Sequence, residues 1–266
     1  MASTFRRVKI TRWLLIPLSM LTMYPSNPPE PCSGKRNPDL LKRFTTSTMD
    51  RLSVYTESDI WHQEGSWEDW TSSTLKAEGT PPKTLAGNGE GETQSYDGKL
   101  AWSCMYSVAS LKDKKTNTAW SEAMDDDGIG QIALIPVKYF PRGKRKSATL
   151  KIFNGFGKSK NIWQNNNRVK ELILHIASAK AGGVEYWTWY SGIEHKCKMP
   201  ITLKDHFGYQ TVTVPLNGCN WDVRFSQEEI DMGASLEKSL IIGLEISSVY
   251  HGQKYKDTLI SEVDFY

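Results

Sequence analysis

The residues best suited to contact a ligand lie in one short run, Tyr186-Trp-Thr-Trp-Tyr190. Period-two alternation puts Trp187 and Trp189 on one face of a strand and Tyr186 and Tyr190 on the other, so an outlying hairpin would expose at least one pair. Flat aromatic faces beside polar groups are what a sugar ring stacks on. The same rings would equally bury against an N-terminal tryptophan cluster or a partner protein. Trp163, between Asn161 and Gln164, is a second candidate platform, because neighbouring amides can hydrogen-bond hydroxyls. Groups for catalysis are harder to find. His62, His175, His195, His206 and His251 are far apart in sequence, and the chain contains no Gly-x-Ser-x-Gly elbow, His-Glu-x-x-His pair, phosphate loop or Cys-x-x-Cys. His195 and His206 with the nearby cysteines match no common zinc spacing. The residues point to binding without catalysis.

The elements that would position these side chains are short and regularly spaced. Ile132–Val137, Ala148–Asn154, Val169–Ile176, Ile201–Lys204, Gln210–Leu216, Leu240–Ile246 and Leu259–Phe265 are rich in β-branched or alternating apolar residues. Turn chemistry separates most of them, at Pro141 to Lys144, Ala181 to Gly183 and Asn217-Gly218. Only Gln227 to Leu236 reads as a short helix. Strands without intervening helical periodicity predict an all-β antiparallel sandwich or jelly roll.

The bulk properties agree with one substantial core. The chain has 266 residues, of which 11% are aromatic, and one domain with an appendage fits that length better than two equal domains. The formal net charge is only +3 and the charges are interspersed, which argues against nucleic acid as a partner. Arg6, Arg7, Lys9 and Arg12 precede an apolar run from Trp13 to Tyr24 that is too short to span a bilayer. Residues 1–24 are therefore expected to be an export signal, leaving no transmembrane segment in the mature chain, which would be secreted or held at the cell envelope. Residues 25–44 read as a Pro-rich linker, 45–73 as an irregular N-terminal extension and 74–266 as the sandwich. Of four cysteines, Cys197 and Cys219 lie symmetrically about Gly208. If the intervening residues form a hairpin, the two sulfurs face each other across the ladder; the alternative is two buried thiols.

Several segments occur in an order that matches a known family. Ser110-Leu-Lys-Asp-Lys-Lys-Thr-Asn-Thr-Ala-Trp120 resembles the Asn-Leu-x-Asp-Gly-Asp-x-x-Thr-Ala-Trp loop of galactose-binding-like sandwiches. Asp125-Asp-Asp-Gly-Ile-Gly130, Asn154-Gly-Phe-Gly-Lys-Ser159, Asn167-Arg-Val-Lys170 and Val249-Tyr-His-Gly-Gln-Lys-Tyr-Lys-Asp-Thr-Leu-Ile-Ser-Glu262 follow in turn. From about Thr74 to Tyr266 the chain resembles the discoidin-like domain of the NAD glycohydrolase translocation family, also described as an NADase-type glycan-binding domain. That resemblance implies a discoidin-type jelly-roll β-sandwich that binds carbohydrate or a surface protein. It also implies a structural calcium, whose ligands here would be Asp113, Asn117, Thr118 and Glu262 with backbone carbonyls. Lys115 stands where the second loop carboxylate would be, and a cation there opposes the metal. Without calcium, Asp113 caps a turn and Glu262 pairs with Arg168 or a lysine. Arg168 is expected to meet a carboxylate such as Glu262 or Asp257.

Overall fold

The computed structural model describes residues 32, 34–55, 70–81, 102–140, 146–184, 187–231 and 236–266. The expected signal at 1–24, Trp61 and Trp67 of the N-terminal tryptophan cluster, the expected turn at Pro141 to Lys144, Tyr186 and the side chain of Trp187 lie outside that set.

Two antiparallel layers enclose the core. The larger is ordered β1 (Arg51–Tyr55), β6 (Trp187–Thr202), β5 (Asn167–Val184), β8 (Glu237–Tyr250) and β3 (Ile132–Lys138). The smaller is ordered β7 (Tyr209–Pro215), β4 (Ser147–Asn154), β9 (Thr258–Phe265) and β2 (Trp120–Ser121). The start of β5 runs parallel to the start of β9, Asn167 beside Thr258, and joins the layers at one end. Between them Leu134, Ile176 and Ile242 belong to the same buried cluster as Leu150, Ile152 and Val263. The fold is the all-β jelly-roll sandwich expected from the strand pattern.

The strand β3 is buried at Ile132 through Val137 without alternation, which requires cover on both faces. Helix α1 (Leu40–Thr45) supplies the outer cover: Leu40 and Phe44 are fully buried, and a Cβ on Gly243 of β8 would lie 3.0 Å from the Phe44 ring. A glycine there lets the helix approach the sheet. Pro136 is tolerated within β3 because the strand is near an edge, flanked among the described residues by β8 on one side and by an isolated bridge at Thr71 on the other. From Cys32 onward the stretch expected as a linker joins the following segment in one N-terminal extension that packs into the sandwich, adding α1 to one face, β1 to the edge of β6 and fully buried Trp70 to the core.

Two sequence expectations are corrected. The Ala181 to Gly183 stretch is not a turn: β5 continues through it, paired with Tyr190 to Thr188. Gly182 serves a strand because a Cβ there would come within 2.6 Å of the Trp189 ring, so the missing side chain leaves room for the indole. The segment from Cys197 to Cys219 is not a hairpin either, because β6 pairs with β5 and β1 whereas β7 pairs with β4. The chain arches from one layer to the other, and the Cys197–Cys219 disulfide, with Cα atoms 5.5 Å apart, ties β6 in the larger layer to the segment just after β7. A second disulfide joins Cys32 to Cys104.

Candidate functional site

The hairpin of β5 and β6 carries the aromatic run, with β1 added along its edge. Trp189 is half-buried, and the Arg51 guanidinium lies 4.9 Å from its ring centroid. Tyr190 points the other way. It is 8% exposed, meets Trp70 edge-on at 5.4 Å, and burial pushes its phenol up to about 12. Of the two alternatives open for this run, burial against an N-terminal tryptophan describes Tyr190, while Trp189 keeps part of its surface in solvent.

Trp163 lies in helix α2 (Lys160–Asn165), which opens with Ser159 Oγ accepting the Ile162 N–H. Its ring is buried, its Nε1 donates to the Asn154 carbonyl at 2.8 Å, and Arg168 stands 4.5 Å over its face. Gly155, at φ +90°, allows this: a Cβ there would lie 2.5 Å from Arg168 and 2.6 Å from Trp163. Asn161 remains exposed on the helix, so the sequence-expected pairing of an open indole with an amide is not what the helix presents. Arg168 meets neither Glu262 nor Asp257. It grips Asp205 through Nε and Nη2, while Nη1 donates to the Asn166 and His251 carbonyls. The Asp205 turn lies far away in sequence, at a separation of 37 residues, and no local pattern announced it.

Two open clefts sit near opposite ends of β5. At the hairpin end, a cleft of about 660 Å³ is bordered by Lys112, Lys138, Tyr139, Thr188, Tyr190 and Lys238, with Glu237 and Ser239 at the start of β8. Tyr139 is half-buried beneath the Lys238 ammonium, 5.6 Å from its ring centroid. At the other end, a cleft of about 390 Å³ is bordered by Asp126, Asp127, Asn167, His251, Lys254 and exposed Tyr255. Here Asp127 accepts from the Asn167 amide at 2.9 Å, and His251 Nδ1 is 3.5 Å from Asp127. Both volumes fall in the range of small-molecule sites.

Beside the smaller sheet, Asp113 and Glu262 are electrostatically coupled. Asp113 accepts the Lys115 backbone N–H at 2.8 Å and the Thr118 hydroxyl at 2.6 Å. Glu262 is buried, one of its oxygens has no hydrogen-bond partner, and its carboxyl is pushed from 4.5 to about 7 by burial and then by Asp113 and Asp264. Asn117 stays exposed.

The model of the NAD glycohydrolase translocation F5/8 type C domain, a discoidin-like family, matches residues 93–266. The chain belongs to that family. Among curated proteins none matches. Among solved structures, the arabinofuranosyltransferase AftD from Mycobacteria is similar at 12% identity over 60% of this chain and 9% of that one, with a TM-score of 0.30.

For an F5/8 type C domain the calcium question can be asked of the residues directly. The unpartnered, buried Glu262 oxygen beside a second carboxylate fits a hard cation, which would satisfy it and relieve the repulsion. Among the described residues no three His, Cys, Asp or Glu side chains converge into a metal cluster, so a calcium ion held by Asp113 and Glu262 would take its remaining oxygens from backbone carbonyls and solvent. Thr118 already donates to Asp113 and Asn117 faces outward, which leaves the two carboxylates as the principal ligands.

One titratable chain in this F5/8 type C domain escaped sequence reading. Fully buried His175 places Nε2 2.7 Å from Glu245 and Nδ1 3.0 Å from His195 Nε2. Phe44 stands edge-on to both imidazoles, and the His195 N–H donates to Ser47 Oγ. Only one proton fits between the two rings, and burial, followed by His175 and Lys198, pushes the His195 pKa down. The arrangement pins α1 and its following turn to the sheet. Its only sequence signal is a histidine at a core-facing spacing in β5, which burial alone would equally explain.

Proposed function

We propose that this F5/8 type C domain is an exported, non-catalytic binding module that recognises carbohydrate on a cell or envelope surface. The observation that carries this reading is the cleft of about 660 Å³ beside the aromatic hairpin, where tyrosines stand among hydroxyl, carboxylate and ammonium groups. Sugars are bound by that combination of stacking area and convergent polar groups. Two disulfides support export, since such bonds persist in oxidising compartments. Among the described residues no helix is long and apolar enough to cross a membrane. Thr188 and Tyr190 border the cleft in this reading, while Trp189, turned to the opposite face of β6 beneath Arg51, offers a separate stacking surface.

A glycan array with the full chain tests the proposal. We expect selective retention of a saccharide, weakened about 10-fold by Tyr139→Ala, which removes the half-buried ring that borders the cleft, as loss of aromatic contact implies. Retention of no saccharide by the wild type overturns the carbohydrate reading in favour of a protein partner on the same hairpin; unchanged binding by the variant removes the cleft from the site.

Calcium is proposed as a structural ion at Asp113 and Glu262. At about 100-fold excess over its dissociation constant it would stabilise the fold by roughly 2.7 kcal/mol, or about 5 °C or more in Tm for a domain of this size. Calcium titration of chelator-treated protein by calorimetry is expected to show that rise in the wild type and not in Glu262→Gln. Equal melting temperatures with and without calcium would overturn it.

A further inference from the structure

We infer that the ligand of the hairpin cleft is an anionic saccharide, one carrying carboxylate, sulfate or phosphate groups; the inference rests on the carbohydrate reading of the same cleft. The cleft is bordered by Lys112, Lys138 and Lys238 against Glu237 alone. Lys112 is engaged with Asp264 at 3.6 Å. Lys138 is exposed on β3, opposite Ser239 in register, and Lys238 lies over Tyr139. The last pair places an ammonium at the face of an aromatic ring that also borders the cleft. A neutral sugar has no use for two such cations, whereas an acidic one is held by them while its ring contacts Tyr139.

The opposite cleft is a built-in comparison. There Asp126 and Asp127 balance Lys254 and Lys256, and His251 is already turned to Asp127. An anion entering it would meet both aspartates. With the charges on the chain otherwise nearly balanced at a net of +3, discrimination between the two ends comes from this local arrangement and not from a field over the whole molecule. The clefts' walls also differ in origin. Apart from Lys112, the cationic one is built from strand ends of the large sheet, which hold their side chains in fixed register, and a fixed site loses less freedom when it binds.

The test uses three soluble probes, a heparin oligosaccharide, an oligogalacturonate and neutral dextran, with affinities measured by calorimetry or fluorescence at low and moderate salt. The full chain is compared with Lys138→Glu/Lys238→Glu, with the milder Lys138→Gln/Lys238→Gln, and with Lys254→Glu/Lys256→Glu at the opposite end. We expect at least one anionic probe to bind more tightly than dextran, with binding weakened by salt. The hairpin-cleft reversal should weaken it at least 10-fold, the glutamine pair less, and the opposite-end reversal less than 3-fold. Stronger retention of the sulfated probe selects sulfate or phosphate groups; stronger retention of the uronate selects carboxylate. The glutamine pair decides the matter if the double reversal fails to fold. Dextran binding equal to that of the anions overturns the anionic inference and leaves the carbohydrate reading standing. Equal losses from reversals at both ends overturn the site by showing diffuse attraction. If these probes and the glycan array are all ignored, the carbohydrate reading falls with it.

Discussion

Replacing Cys32 and Cys104 by serine is expected to lower the stability of this domain by about 4 kcal/mol. The bridge spans 72 residues, and a cross-link over that length removes roughly 4 kcal/mol of chain entropy from the unfolded state, against about 3 for the 22-residue separation of Cys197 and Cys219. More than entropy is involved. The bridge ties the start of the N-terminal extension to the segment before the short 3-10 turn Val108–Leu111, itself buried. Leu40, Phe44, Leu52, Val54 and Trp70 all belong to the core, so the extension stays docked through its own burial. The variant therefore unfolds in a single transition at lower urea concentration. Equilibrium unfolding of the double variant, without reductant so that Cys197–Cys219 remains intact, measures the effect; a loss below about 1 kcal/mol would show that the bridge restrains nothing that burial does not already hold. An early partial transition would instead show that the extension is a separate cooperative unit.

Much of the scaffold was legible because the sandwich rests on period-two alternation and on turn residues. Six of the seven predicted strands are matched by β3, β4, β5, β7, β8 and β9, whereas Ile201–Lys204 is only the end of β6, which runs from Trp187 to Thr202; Trp120 closes the sandwich as a packing residue, fully buried with its Nε1 donating to Thr71 and Ser73. What was illegible depends on partners chosen over long distances. The sequence around Gly208 fits a hairpin, but hairpin and arch have the same local chemistry, and only the availability of β4 as a partner for β7 separates them. Gly182 has the composition of a turn and the function of a slot for Trp189. Arg168 has several acidic candidates, and its choice of Asp205 follows from the arch that brings residues 203–208 back over α2, where Phe207 packs edge-on to Trp163 at 5.8 Å. The candidate site was legible to the same degree. Alternation correctly separated the Trp189 face from the Tyr190 face, but Lys138 and Lys238, which with Tyr139 complete the cleft, come from β3 and β8, about 50 residues away on either side, and Lys112 comes from the turn after Val108–Leu111.

Glu122, within the Thr-Ala-Trp-Ser-Glu segment, had no distinguishing pattern, and it carries the second large expected effect. Its side chain is fully buried, with Oε2 accepting the Met124 N–H at 2.7 Å and Oε1 the Thr258 N–H at 3.0 Å. Gly128, at φ +69°, presses so close that a Cβ would lie 2.4 Å from the carboxyl carbon, which is a physical reason for glycine after the three aspartates. Glu122→Ala leaves two buried backbone donors unpaired and is expected to cost about 3 kcal/mol. Burial pushes the carboxyl from 4.5 to about 7, against the two backbone hydrogen bonds that lower it. The folded state therefore binds a proton near neutral pH that the unfolded state does not take up until about 4.5. Stability from this group is present in acid and is lost as pH rises through 7, amounting to about 1.4 kcal/mol between pH 6 and 8.5. Glu262, whose carboxyl is raised in the same way, gives a slope of the same sign, and His195 one of the opposite sign below its ordinary value; both persist in a Glu122 variant and cancel in the comparison. Urea unfolding of wild type and Glu122→Gln at pH 6 and 8.5 isolates the term. A pH slope in Glu122→Gln as steep as that of the wild type would mean that the buried carboxylate is ionised in the folded protein, held so by its two N–H donors, and that desolvation does not dominate there.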